Sequence, residues 1–367
     1  MSANGHINHT GADVVVAGGG LAGLVAAWCA SEVGATVTVV DDPERTAAAH
    51  VAAGMIAPVG EASYGEETLL RAAIVSAAAW PEFARNLEEW SGRKVPYRRC
   101  GALHVALDRD EAAELRRRSD YERRLGLESR DLLGSECRQL ELGLASSVNA
   151  GIEVPGEAEI DPRALLNALR AACERGGVRF VAGRVGGVAP GRVTLESGDE
   201  LRAERVFLAL GAWAGATPIE GSRLPIRPVR GEVVRLRAEP GRMPCERIVA
   251  GERFYVVPRV SGEVVVGATV EERGFDSRVT AGGVHELLRE SYRALPELAE
   301  LELVEVAAGL RPGSPDNGPI IGSVGEGLFA LSGLFRNGIL LAPLVAAAVD
   351  AELGHRHPLP ELVPLRP

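Results

Sequence analysis

The sequence predicts an α/β fold. A Rossmann-type domain with a parallel sheet, assembled from discontinuous segments, is joined to an α+β domain with a mainly antiparallel sheet. Three observations carry this. An apolar run through Val14, Val15 and Val16 leads into Gly18, Gly20 and Gly23 at Gly-x-Gly-x-x-Gly spacing, then a helical stretch over 24–32 and a second apolar run over 35–40 that ends at Asp41. Two further short apolar runs, 205–210 and 328–331, each lead into a glycine turn, as buried parallel strands do. From Pro228 the apolar period shifts toward two, across 229–237, 253–259 and 263–269, the alternation of antiparallel strands.

Each element has a local reason. In the first unit Gly18 permits the tight turn, Gly20 lets a pyrophosphate approach the backbone, and Gly23 lets the helix pack on the strand. Asp41 then stands where a carboxylate accepts from a ribose hydroxyl, with the phosphates at a helix N-terminus. Residues 47–58 read as an alanine- and glycine-rich loop, 67–90 as helix, and 97–144 as strand mixed with exposed helix. Asp161 and Pro162 start a helix as N-cap and first helical residue; Leu165, Leu166, Leu169 and Cys173 form its apolar face, and Gly176-Gly177 stop it. A strand over 178–182 follows. Ser261-Gly262 signals a hairpin, and Pro258 suits an edge or a bulge. A largely apolar helix closes the pattern over 339–353. The division expected is 11–85, 150–225 and 305–355 for the nucleotide domain, 86–149 and 226–304 for the antiparallel cap, with 1–10 and 356–367 as tails.

Composition bounds the function. The 367 residues are 46% hydrophobic and 25% charged, as in a globular enzyme, and the net charge of -10 argues against nucleic acid or an anionic membrane as partner. Five scattered cysteines (29, 100, 137, 173, 245) fit neither a disulfide framework nor a zinc site, and no metal is expected. Cys29 and Cys173 read as core. No secretory signal or membrane span is expected, which points to a cytoplasmic enzyme. The oligomeric state is left open, a homo-oligomer included.

Later motifs decide which nucleotide is bound. Gly211-Ala212-Trp213-Ala214-Gly215, Tyr255-Val256-Val257-Pro258-Arg259, Gly309-Leu310-Arg311-Pro312 and Phe335-Arg336-Asn337-Gly338-Ile339-Leu340-Leu341-Ala342-Pro343 follow the glycine turn in one order, with Gly54-Met55 and Pro58 in support. Together they resemble the FAD-dependent D-amino-acid-oxidase-like family, and within it the glycine-oxidase branch of thiamine biosynthesis, over about 12–353. The resemblance implies non-covalent FAD. Leu21 and Ala22 would lie at the pyrophosphate, Asp41 and Asp42 at the adenosine ribose, and Val185 at the adenine. Ala53, Gly54 and Met55 would lie near the isoalloxazine ring. Leu334, Phe335, Arg336, Asn337, Gly338, Ile339 and Leu340 would run along the flavin with their amides toward its N1–C2=O edge. Where relatives carry hydroxyl residues before the Ala-Gly-Met segment, this chain has Ala47, Ala48, Ala49 and His50; Ala48 and Ala49 would offer the phosphates backbone amides alone, and His50 is a candidate substitute donor.

The implied reaction is oxidative deamination of glycine, sarcosine or small D-amino acids by hydride transfer to flavin N5, giving imine and glyoxylate, ammonia and, with oxygen, hydrogen peroxide. A planar guanidinium suits the substrate carboxylate. Arg311 matches the family's carboxylate-binding position, Tyr255 is placed by the resemblance to face the same carboxylate, and Arg336 is a candidate to neutralise charge beside the ring. Met55 and Val270 are candidates to wall a small pocket, and Trp213 reads as packing under the nucleotide. Lys94 is the only lysine, and no cysteine follows Cys245, so neither a lysine over the flavin nor a tether near Arg311 is expected. The alternative is a dehydrogenase of the same fold that passes electrons to a quinone or protein.

Overall fold

The computed structural model describes residues 9–365. In its first sheet Leu328–Ser332, Glu200–Leu208, His9–Ala17, Val37–Asp41 and Arg179–Ala182 lie side by side and parallel. The pleat sends alternate residues to opposite faces. Val14 and Val16 enter one core with Trp28, Trp80, Leu165 and Leu344, whereas Val15 and Ala17 enter a second with Leu208, Leu210 and Ile219. Helices Leu21–Glu32, Glu67–Ser91, Pro162–Arg175 and Ala342–Glu352 contribute to the first core. The first of these is buried on nearly every side, which its apolar composition allows. Asp161 caps the third as expected, its Oδ1 accepting from the amides of Arg163 and Ala164.

The second sheet has the order Glu302–Gly313, Arg227–Arg237, Glu263–Gly267, Tyr255–Pro258, Ile248–Ala250, Ala102–Ala106, Ala150–Val154, Arg130–Leu133. Every pairing is antiparallel except that of Ile248–Ala250 with Ala102–Ala106. Phe254 and Val256 face a core shared with helix Ala281–Ala294. Tyr255 and Val257 face the other way, toward Val51, Ala53 and Met55 of the first domain. A small sheet of Met55–Ile56, Ala158–Ile160 and Tyr97–Arg98 lies beside these.

Several expectations are corrected. Ala150–Val154 and Glu302–Gly313, read as parts of the nucleotide domain, are strands of the antiparallel sheet, because their backbones pair with Ala102–Ala106 and Arg227–Arg237. Residues 356–365 are not a free tail: the turn Pro360–Leu365 inserts Leu362 and Leu365 into the first core. The expected tail over 1–8 lies outside the described residues. Pro258 occupies an interior strand; the ladder with Ile248–Ala250 runs only as far as Val256, so the missing N–H falls beyond it. The closing helix starts at Ala342, preceded by a tight turn over Phe335–Asn337. Among the described residues no helix is long and apolar enough to cross a membrane.

Candidate cofactor and substrate site

A single cavity of about 850 Å³ is lined by the glycine turn of the first sheet and by one face of the second. At the turn, the three glycines do different work. Gly18 has φ +116°, and a Cβ there would overlap the Ala209 carbonyl; a Cβ on Gly23 would overlap the Gly18 carbonyl. Gly20, by contrast, has nothing nearer than Ala47 Cβ at 3.9 Å, so its open side is the cavity itself. Gly20 is the N-cap of helix Leu21–Glu32 and has no side chain to cap it. The amides of the first turn and the positive end of the helix dipole therefore favour an anion there. Of the expected cofactor residues Gly23 does not line the cavity: it lies beneath the turn, as the packing role requires.

Asp41 and Asp42 both line the cavity. Asp41 accepts from Arg170 at 3.2 Å. Asp42 is held by Arg184 at 3.0 Å and Arg45 at 3.1 Å; burial pushes its carboxyl up, but these guanidiniums keep it below the ordinary range. Arg45, which sequence reasoning missed, also lies 4.6 Å over the Trp213 ring, and Phe275 stacks on the same ring at 6.1 Å. Ala48, Ala49 and Val185 line the cavity, but His50 does not: it is exposed, and its carbonyl accepts from Arg163. A donor role for His50 is not supported by this placement.

Ala53, Gly54 and Met55 form the next stretch of wall. Two buried arginines of the antiparallel sheet hold it. Arg235 donates to the carbonyls of Val51 and Ala52 at 3.2 and 3.3 Å, and Arg259 to that of Ala53 at 2.5 Å. Sequence reasoning singled out neither for this role, because a charged residue on an alternating strand carries no local mark of a partner so distant in the chain. Leu334, Phe335, Arg336, Asn337, Gly338, Ile339 and Leu340 all line the cavity. Their turn is anchored where Leu340 O accepts from Ser76 Oγ at 2.8 Å and Trp80 Nε1 at 3.0 Å. Phe335 has φ +44°, a left-handed conformation that costs a non-glycine residue about 1–3 kcal/mol.

Arg311 and Tyr255 approach one another across the antiparallel sheet. Arg311 Nη1 donates to Thr269 O at 3.1 Å and Arg230 O at 3.3 Å, and among the described residues no carboxylate pairs with it. Burial pushes the Tyr255 phenol up, and the nearby Arg311 charge opposes that shift. Arg336 differs: its Nε lies 2.6 Å from Glu61 Oε2, so its charge is already matched. Met55 and the exposed Val270 also line the cavity, as does Trp213.

A second wall was not foreseen at all. His104, Arg118 and Glu157 line the cavity near Gly60 and Glu61. The Gly60 amide donates to Glu157 Oε1, Arg118 Nη1 lies 3.2 Å from His104 Nδ1, and Arg118 Nε lies 2.7 Å from the buried Glu122. No local motif marks this group, since its members come from a strand, a helix and two loops.

The cavity accepts an extended dinucleotide on the evidence of the chain itself. The open face at Gly20 admits a phosphate where a Cβ would stand, and the wall from Ala53 to Met55 is small and apolar for a ring.

Comparison with known proteins agrees. The family profile described as FAD dependent oxidoreductase matches residues 13–351. The chain is 34% identical over 346 residues to the bifunctional protein ThiO/ThiG of Trichormus variabilis, covering 92% of this chain and 52% of that one. It thus spans about half the length of that relative. It is 31% identical over 346 residues to glycine oxidase of Geobacillus kaustophilus, covering 92% and 91%. The crystal structure of glycine oxidase from the same species superposes with a TM-score of 0.89 at 29% identity, covering 98% of each chain.

Proposed function

This chain belongs to the FAD-dependent oxidoreductase family, and we propose that within it the protein is a glycine-oxidase-like enzyme that deaminates glycine and other small amines oxidatively. The observation that carries this reading is Arg311: a half-buried guanidinium in the cavity, held through one nitrogen by two carbonyls and matched by no carboxylate among the described residues. A cation so placed calls for an anion, and a planar fork suits a substrate carboxylate. The Tyr255 hydroxyl, kept neutral by burial, is positioned to donate to that carboxylate.

Bound without a covalent tether, FAD supplies the acceptor for two electrons. Binding the carboxylate at Arg311 orients the substrate carbon toward the cofactor, and orientation is the main task left to the protein. From glycine, a hydride from carbon and a proton from nitrogen must leave the neutral amine to give the imine, which water converts to glyoxylate and ammonia. Bound FAD would supply the hydride acceptor, and with oxygen as final acceptor the two electrons and two protons would leave as hydrogen peroxide. Gly18, Gly20, Leu21 and Ala22 would hold the phosphates, and Asp41, Asp42 and Val185 the adenosine. Ala53–Met55 and the 334–340 turn would border the ring, with Arg336 tied to Glu61 at its edge. Delivery of the imine to thiamine thiazole formation is the proposed destination.

The test is peroxide formation with glycine, sarcosine and D-alanine by the purified flavoprotein, alongside anaerobic bleaching. Bleaching with peroxide in air is expected. Bleaching without peroxide would transfer the assignment to the dehydrogenase alternative, and no bleaching by any amine would end both.

A further inference from the structure

Two glycines of the antiparallel sheet lie beneath side chains that line the cavity. Gly231 lies inside strand Arg227–Arg237, paired with Gly309, and Gly267 ends strand Glu263–Gly267, paired with both Val233 and Tyr255 and followed by a cis peptide bond to Ala268; neither has a positive φ. Glycine at such positions weakens a strand and adds freedom to the unfolded chain. What requires it is space. A Cβ on Gly231 would come well inside 3.0 Å of Nη1, Cζ and Nη2 of Arg311, and one on Gly267 equally close to Cζ, Oη and Cε2 of Tyr255. In both cases the atoms displaced belong to the working end of a side chain and not to backbone.

The register explains the arrangement. Arg311 pairs with Val229 on the neighbouring strand, so its side chain runs diagonally over Gly231 before reaching Thr269 O and Arg230 O. Tyr255 comes from the opposite side and lies over its directly paired neighbour, Gly267. The strand order between them is Glu302–Gly313, Arg227–Arg237, Glu263–Gly267, Tyr255–Pro258. Guanidinium and phenol therefore converge over the two positions, Gly231 and Gly267, where the floor carries no side chain, with Val233 beside them.

We propose that Gly231 and Gly267 are positioning residues, which set the depth and direction of the Arg311 guanidinium and the Tyr255 hydroxyl and so fix where a substrate carboxylate is held. This rests on the reading of Arg311 and Tyr255 given above. A methyl group at 231 leaves the strand pairing intact and pushes aside the far end of a flexible side chain, so the variant folds and keeps FAD while its carboxylate site is misaligned. At 267 a rigid ring is displaced, and the hydroxyl moves with it.

A double-mutant cycle on the holoenzyme tests this, with acetate binding read from the perturbed flavin spectrum, glycine kinetics, and FAD content as the control for folding. Gly231→Ala is expected to raise the acetate Kd and the glycine KM roughly tenfold or more, with kcat and FAD content little changed, as for a weakened charged contact. In an Arg311→Ala background the same change is expected to add nothing, because no guanidinium remains to be displaced. Wild-type acetate binding by Gly231→Ala while Arg311→Ala loses it would overturn the proposal alone; so would a further tenfold loss in the double variant. Normal acetate binding by Arg311→Ala would bring down the proposal together with the reading beneath it. Should Gly231→Ala fail to retain FAD, the cycle of Gly267→Ala with Tyr255→Ala decides by the same rule.

Discussion

Arg259, which directly follows strand Tyr255–Pro258, ties the loop at Ala53 to the antiparallel sheet: Nη2 of the buried guanidinium donates to the Ala53 carbonyl at 2.5 Å. The same side chain meets Glu159 at 2.6 Å, Ile160 O at 2.8 Å and Glu263 at 2.7 Å. The wall of the cavity is thus hung from the antiparallel sheet by a buried cation.

Arg259→Leu is expected to destabilise the protein by about 1–3 kcal/mol, because it leaves the buried Glu159 with Arg98 alone, at 3.1 Å, and takes the donor from the Ala53 and Ile160 carbonyls. Arg259→Lys keeps the charge but loses the fork, so a smaller loss is expected. Thermal melts with and without added FAD check both. A wild-type melting temperature for the leucine variant would refute the clamp.

Gly54 and Gly20 are expected to fail in different ways. Gly54 has φ +84°, and a Cβ there would overlap the backbone carbonyl of Ile160, so Gly54→Ala should destabilise the apoprotein by roughly 1–3 kcal/mol. Gly20→Ala meets only open cavity, so the apoprotein should lose no more than about 1 kcal/mol at this N-cap, while FAD affinity falls. Apoprotein denaturation and FAD titration separate the two; equal effects on both quantities would contradict the assignment.

Tyr255 should remain a hydrogen-bond donor throughout the usual assay range. Burial raises its pKa above the ordinary value of 10.0, and because the phenol is neutral below its pKa, the raised value widens the range in which it can donate. Tyr255→Phe should therefore lower kcat/KM about 10–100-fold, the worth of a hydrogen bond to a charged partner, by a constant factor between neutral and mildly alkaline pH. Loss of the alkaline limb in this variant alone would show that the phenol titrates.

The thiols should be inert in the native state. Burial pushes Cys137 up to about 11 and Cys173 up to about 12, and raises Cys29 and Cys245 well above the usual value. The thiolate is the reactive species, so a colorimetric thiol reagent at mildly alkaline pH should reach Cys100 at most. All five should react in denaturant. Rapid modification of a second thiol in the folded protein would contradict the burial.

Much of this was legible beforehand where the signal is local. The glycine spacing at 18–23, the cap at Asp161 and the hairpin across 261–262 each depend on backbone conformations that a few neighbouring residues impose, and each was read from those residues. The period-two alternation across 253–259 carries Tyr255 and Val257 to one face and Phe254 and Val256 to the other, as the two cores show. Arg235 and Arg259 show the opposite case. By pattern they are charges on half-exposed strands, yet they are 1% and 3% exposed, because a loop from some two hundred residues earlier covers them with carbonyls.

The chain by itself determined which short segments turn, cap and alternate, since those choices lie within a few bonds, and its motifs pointed to a flavin nucleotide. Tertiary structure alone decided which strands became neighbours. Pairing with Arg227–Arg237 moved Glu302–Gly313 out of the nucleotide domain and laid Arg311 over Gly231. It also left Arg336 matched by Glu61 and Arg311 matched by no carboxylate among the described residues. Charge compensation depends on distances across the fold, and these arise only when the two sheets close on one another.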